Sequence, residues 1–508
     1  MSWDRIHKIY EKISEIFSIE NVHENENIDR GIEIKKLFNK QQIVLIIILV
    51  FALFLRLYFF VGPNLNDDID YISSAYMVSN GNLQPLYGNS INAIRSMITI
   101  PVALSFKLFG VNVLSASLYP LLCSLITITA TFYIGKILVN EHLGLLSAAI
   151  LSFFPVDIAF STQLVPTIPV TMFMTLSIAL FLYAGNNDNR VLFFLSGVMA
   201  GFSYLANIMT FIIIFSIALS YLIIERKIKK EYFIVIAGFL LIFSMECFFM
   251  FLNTGDLLHR LDVIHETEKM IGTNTAMDYY PRVMLRAINV DFNAHEGNLG
   301  IYVHLFFIGS MFSLFIKPEK QLWFLILSFF LIMSYLQFGV MTSTFKPIAK
   351  WVRYLIVFGP TFSLVIAYMF EKLTKVDYFK AIFIIILFVV TLPYLIGTTG
   401  AYRSWTYDFK EEYNYLRNLP EKTIYTDQVS SGFLRFYFSF KRDIRNLEFA
   451  RFEMIRDSYV VINGSRGVVE NAEMRKRLPE FARNPPDNWK LLTTLEGEVI
   501  RPKIYYVE

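Results

Sequence analysis

The strongest constraint on this chain is the recurrence of apolar runs close to the ~20 residues that a helix needs to cross a hydrocarbon core. They lie at about 42–61, 113–138, 143–159, 168–185, 191–206, 207–224, 232–252, 301–316, 322–341, 353–370 and 380–397. A backbone in lipid must satisfy its own polar groups, so runs of this kind fold as stacked helices. With 55% hydrophobic and 18% charged residues, the composition agrees. The expected fold class is a polytopic α-helical membrane protein with about eleven transmembrane helices. The 49 Phe and 28 Tyr suit lipid-facing helices and interfacial belts.

A net charge of +3 gives no case for nucleic acid as a partner, because the basic residues gather beside the apolar runs. Cys123 and Cys247 both lie inside such runs, so neither a disulfide framework nor a cysteine zinc site is expected. The first run begins only near Gln42, too late for the early core of a signal peptide, and reads as a retained anchor.

Three regions follow. Residues 1–41 read as a cytoplasmic arm, in which Ile6, Ile9, Tyr10, Ile13, Ile16 and Phe17 recur at helical spacing, as in a surface amphipathic helix. Residues 42–399 form the membrane region. Beyond about Gly400 the composition turns polar, and 400–508 reads as a small soluble α/β domain with strands at Lys422–Asp427 and Ser458–Asn463 and a helix at Gln428–Phe438. Arg30, Lys35, Lys36, Lys40, Arg226, Lys227, Lys229, Lys230, Lys317, Lys320, Lys372 and Lys375 share one side when the number of spans is odd. The positive-inside rule makes that side cytoplasmic. The C-terminal domain and the loops 62–112, 254–300 and 342–352 then share the outer face. Within the first loop, Ser96–Gly110 is apolar but interrupted by Pro101 and Lys107, and reads as a juxtamembrane helix.

Chemistry concentrates just outside the first run, at Asn66-Asp67-Asp68-Ile69-Asp70-Tyr71. Three acids within four positions serve equally as a solvated topological marker or as a general base at the lip of a membrane cavity. Asp67, Asp68, Tyr71, Ala75 and Gly81 match an acid-acid-x-x-Tyr-x-x-x-Ala-x-x-x-x-x-Gly pattern. The match continues through Lys107-Leu108-Phe109-Gly110, Tyr133-Ile134-Gly135-Lys136, Leu145, Ser147-Ala148-Ala149 and Pro155, and resumes at Arg353-Tyr354. This resembles the C-type (GT-C) membrane glycosyltransferases, in the group that holds protein O-mannosyltransferases and lipid A aminoarabinose transferases. The resemblance implies transfer of a sugar from a polyprenyl-phosphate donor, such as a dolichyl or undecaprenyl lipid, to a protein, lipid or glycan acceptor on the extracytoplasmic face. It implies Asp67 as catalytic base and Asp68 as the acid that follows it.

For the donor phosphate the candidates are Arg353, Lys350, Lys346, Arg95 and Tyr354; Arg is suited to bidentate contact, whereas span-end basic residues also snorkel to headgroups. Asp70, Tyr71 and Glu246 are candidates to line the substrate cavity, since an ionisable group within a span usually faces one. Arg56, also within a span, is expected to pair with a loop carboxylate or to snorkel. No cofactor is required, and a divalent metal is compatible but not indicated. One departure stands out: where the group often carries an acid in a Leu-x-x-Pro-Asp-x-Pro-like stretch, Leu164-Val165-Pro166-Thr167-Ile168-Pro169 has Thr167. A neutral hydroxyl cannot serve as the same acid or ligand, which bears on donor, metal use and activity. A lipid-linked glycan carrier and an inactive relative acting as an assembly partner are the alternatives. Asp427, between a strand and a helix, reads as a helix cap rather than a ligand site. The Asn463-Gly464-Ser465 sequon is too common a triplet to carry weight.

Overall fold

The computed structural model describes residues 40–270, 279–285, 299–316, 320–339, 348, 350–465, 478–497 and 500–508. Val44–Glu508 forms one compact unit; of the unit before it, only the turn Lys40–Ile43 is described. Seven helical segments are long and apolar enough to cross a membrane: α1 (Lys40–Tyr58), α4 (Val113–Leu138), α7 (Thr167–Asn187), α10 (Glu231–Thr254), α14 (Lys320–Phe338), the segment Val352–Leu373 that ends in α15 (Gly359–Leu373), and α16 (Asp377–Leu416). The other four expected runs form the shorter apolar helices α5 (Glu141–Ser152), α8 (Arg190–Ala206), α9 (Thr210–Glu225) and α13 (Tyr302–Ile316). By length and apolar composition, then, seven of the eleven expected runs meet the requirement for a crossing among the described residues, and the other four are apolar but shorter. Between them lie α2 (Leu65–Ser79), α3 (Ser96–Phe109), α6 (Pro155–Phe160), α11 (His259–Met270) and α12 (Tyr279–Leu285).

The run expected to be continuous over 143–159 is broken. Pro155 has no N–H to donate and forces Phe154 out of the helical region, so α5 stops at Ser152 and α6 begins at Pro155. Carbonyls freed near the break find side-chain partners: Ser152 O accepts from Arg56 Nη1 at 3.0 Å, and Ile150 O from the Tyr302 hydroxyl at 2.7 Å. This is how a broken helix survives at membrane depth.

Helix starts are set by asparagine caps. Asn112 and Ser115 form a reciprocal capping box before α4, and Asn140 and Asn189 accept from the first free amides of α5 and α8. Packing of α8 on α10 uses the absence of side chains, since a Cβ on Gly238 would stand 2.2 Å from Phe194 O. The segment between α1 and α4 holds α2, a 3₁₀ turn at Gln84–Tyr87 and α3, which packs against α2, α4 and α8. At 14 residues, α3 is only about 21 Å long, short of a ~30 Å hydrocarbon core.

The C-terminal part is a five-stranded sheet, β1 (Ile424–Thr426), β2 (Ile444–Asn446), β3 (Ser458–Ser465), β4 (Lys490–Thr494) and β5 (Ile500–Val507), ordered β2-β1-β3-β5-β4. β1 runs parallel to β2 and β3; β5 is antiparallel to β3 and β4. Helix α17 (Gln428–Tyr437) links β1 to β2, so the expected α/β character holds. Gly400, where the composition turns polar, lies inside α16, a 40-residue helix that runs unbroken towards the sheet.

Candidate active site

The site is built on the first turn of α2. After α1 the chain turns at Gly62, whose φ of +80° suits glycine, and the amides of Val61 and Gly62 donate to Thr162 Oγ1 at 3.2 and 3.1 Å. Asp68 faces inward, 1% exposed; its Oδ2 accepts from the Asn64 amide at 2.6 Å, and the Leu164 amide also donates to it. Asp68 thereby ties the start of α2 to the segment before α7. Burial pushes its carboxyl up to about 8, outweighing the two backbone hydrogen bonds.

Asp67 faces the other way. Its side chain is 41% exposed and pairs with Arg353, 20% exposed, whose Nη1 lies 3.2 Å from Oδ2. Arg353 sits in the 3₁₀ turn Val352–Phe358 and lies over the Trp351 ring at 5.1 Å. Asn92 completes the arrangement: its Nδ2 donates to Asp70 Oδ2 at 3.1 Å and reaches Asp67 Oδ1 at 3.5 Å, and its Oδ1 accepts from Arg95 Nη1 at 3.0 Å. Arg95 also donates to the hydroxyl of buried Tyr71. Burial pushes the Tyr71 phenol up to about 12 despite the Arg95 charge, so it stays protonated at neutral pH, and desolvation raises the Asp70 carboxyl. The result is an open-lipped cluster in which two solvent-accessible carboxylates, Asp67 and Asp70, share Asn92, with two guanidinium groups within one side chain of Asp67.

Asp67, Asp68, Asp70, Tyr71, Arg95 and Arg353, expected from sequence, thus converge. Lys350 is buried three residues before Arg353. Tyr354 shares a small cavity with Thr167 and Asn207. Lys346 lies outside the described residues. Glu246 is held elsewhere, 2.5 Å from Arg260 Nη1, while Arg260 Nη2 donates to the carbonyls of Tyr204 and Leu205 at the end of α8. Arg56 neither snorkels nor meets a loop acid. It is fully buried and pairs with Asp157 of α6, and Ser124 Oγ accepts from Arg56 Nε at 2.7 Å and donates to Asp157 at 2.6 Å. Asn92, Asp157 and Arg260 were not singled out from sequence. For the last two the signal was present, since a buried Arg56 and Glu246 each require an opposite charge.

The sheet unit buttresses the site helix. Ile69 of α2 packs against Gly432 of α17, Tyr76 stacks on Phe440 at 4.1 Å, and Phe409 stacks on Phe433 at 4.1 Å beside them. Asp427 caps α17 by accepting from the Val429 and Ser430 amides, as expected. Asn463 of the sequon is buried and donates to Asp427 and Ser430, so its amide is not presented for modification. Among the described residues, no group of three His, Cys, Asp or Glu is placed to hold a metal ion.

Comparison with known proteins bears on the fold and on the family resemblance. The pattern of the family described as dolichyl-phosphate-mannose-protein mannosyltransferase matches residues 97–248, under a third of the chain. The crystal structure of ArnT from Cupriavidus metallidurans in the apo state is similar over 92% of this chain and 98% of that one, with a TM-score of 0.62 and 11% identity. The same protein bound to undecaprenyl phosphate matches over 91% and 97%, with a TM-score of 0.60 and 11% identity. No curated protein matches by sequence. The resemblance is upheld in the fold: over most of its length this chain has an ArnT-like fold.

Proposed function

Starting from that fold, we propose that the chain is an inverting membrane glycosyltransferase that moves a sugar from a polyprenyl phosphate to an acceptor hydroxyl or amine at the extracytoplasmic face. The observation that carries the reading is the pairing of Asp67 with Arg353, a half-exposed carboxylate and a largely covered guanidinium 286 residues apart in sequence and 3.2 Å apart in space. A donor phosphate arriving beside Arg353 competes for the guanidinium, which binds phosphate well, and frees Asp67. The acceptor oxygen or nitrogen then attacks the anomeric carbon. As that bond forms, the bond from the anomeric carbon to the phosphate oxygen breaks, the acceptor proton passes to Asp67, and the departing phosphate is stabilised by Arg353 with Arg95 beside it.

Asp68 acts differently from Asp67: with both backbone donors satisfied inside the protein, it positions α2 rather than taking a proton. The cytoplasmic N-terminus and outward C-terminal unit of the positive-inside reading place Asp67 on the side where lipid-linked sugars meet surface acceptors. ArnT binds undecaprenyl phosphate, which supports a polyprenyl carrier here too.

The alternative of an inactive assembly partner is favoured by Thr167, which stands where the group often has an acid and is buried. Mass spectrometry of surface glycans and glycoproteins, with and without the gene for this chain, separates the two. Loss of one sugar type, restored by the wild-type chain but not by Asp67→Asn, supports transfer. Restoration by Asp67→Asn refutes it.

A further inference from the structure

Between α7, α8, α9, α10 and α14 lies a cavity of about 370 Å³, the size of a small-molecule site. It is lined by hydrocarbon: Ile178, Phe181, Ile217 and Phe324 are typical of its walls. Four polar side chains line it: Ser177 and Ser196 bond to each other and to each other's carbonyls and ask nothing of an occupant, and Tyr221 and Tyr232 lie edge to face at 5.7 Å. Its mouth has the opposite character. Ile228 lines the cavity yet is 74% exposed, in a short loop where Arg226, Lys227, Lys229 and Lys230 are also exposed. Of the two acids flanking that loop, Glu225 lies 3.9 Å from Lys320, leaving an excess of positive charge at the rim.

A dry hydrocarbon slot beneath a cationic rim fits an amphiphile with an anionic head. We propose that this cavity holds one acyl chain of an anionic glycerophospholipid whose phosphate is bound by the 226–230 loop. The site lies on other helices than those carrying Asp67 and Arg353, and stands independently of the transfer reaction. A chain seated there ties α9, whose contacts are chiefly with α14, to α8 and α10 across the gap.

The test is native mass spectrometry of the full-length protein, purified in neutral detergent and offered phosphatidylglycerol, phosphatidylcholine or polyprenyl phosphate. Each cation near an anionic head adds about fivefold to binding, so retention of phosphatidylglycerol over phosphatidylcholine is expected to be tenfold or more. The triple variant Lys227→Gln/Lys229→Gln/Lys230→Gln should erase that preference while still retaining some lipid. Ala218→Trp, which fills the slot from its lining, should abolish retention of both phospholipids. Size-exclusion profiles confirm that each variant is folded. Equal retention of the two phospholipids by the wild type, unchanged retention by folded Ala218→Trp, or preferential displacement by polyprenyl phosphate would each overturn the assignment.

Discussion

Replacing Gly432 with alanine probes how the sheet unit controls the site. A Cβ at that position would stand 2.5 Å from Ile69 Cγ2, where ordinary contact begins at 3.4 Å, so α17 and α2 must part by roughly 1 Å. Two terms oppose each other in stability. Alanine in a helix gains ~0.5–1 kcal/mol over glycine, and overpacking costs ~1–3 kcal/mol, for a net loss of about 0–2.5 kcal/mol. The effect on transfer should be larger. Ile69 lies two residues from Asp67 on a short helix, and a displacement of ~1 Å at a reacting group costs up to about a hundredfold in rate. The assay is sugar transfer from a polyprenyl-phosphate donor by purified protein, with thermal unfolding followed in parallel. Ile69→Leu removes the offending Cγ2 at nearly constant volume, so Gly432→Ala/Ile69→Leu should recover most of the lost rate, with a coupling of about 0.5–3 kcal/mol. Wild-type transfer by Gly432→Ala, or failure of the second change to restore it, would refute mechanical support of α2 by α17.

Three further outcomes are expected. Asp67→Asn removes the base and should lower transfer by about 10²–10⁴-fold, yet cost at most ~1 kcal/mol of stability because its pair with Arg353 is partly exposed; an unfolded variant would point to a structural role. Asp68 has a folded pKa of about 8, above its unfolded value, so the folded state holds the extra proton and stability falls as pH rises from about 4 through about 8; thermal unfolding of Asp68→Asn between pH 5 and 9 should show a flatter profile than wild type. Arg56→Met strands the Asp157 carboxylate inside the bundle and should cost ~3–5 kcal/mol, whereas Arg56→Met/Asp157→Leu should recover much of it, measured by thermal unfolding in detergent.

How much of this was legible in the sequence depends on what each feature rests on. Apolar runs report burial in lipid directly, so the helices appeared where they were expected, and the Asp427 cap followed from local pattern alone. Pro155 was visible, but its effect was not anticipated; whether a proline kinks or splits a helix depends on who takes the freed carbonyls, and that role falls to Arg56, about a hundred residues earlier. In the site, Asp67 and Arg353 were each marked by charge at a span end. Their pairing is a tertiary fact with no local trace. Asn92 carries no signal at all, because a polar residue in a loop is unremarkable until the fold sets it between two carboxylates. The division of labour between Asp67 and Asp68 was likewise invisible: adjacent residues of one type differ only in which way the helix turns them.

The unbroken course of α16 has a mechanical corollary. Over its 40 residues it spans about 60 Å, with Pro393 in its interior, and beyond that proline no loop separates it from the last turn before the sheet, so the sheet unit must turn with the stretch that follows Pro393. One residue inserted near Gly397 would swing everything beyond it by about 100°, carrying α17 off the back of α2. The phasing of a shaft buried largely in lipid thus becomes a determinant of chemistry at the water's edge.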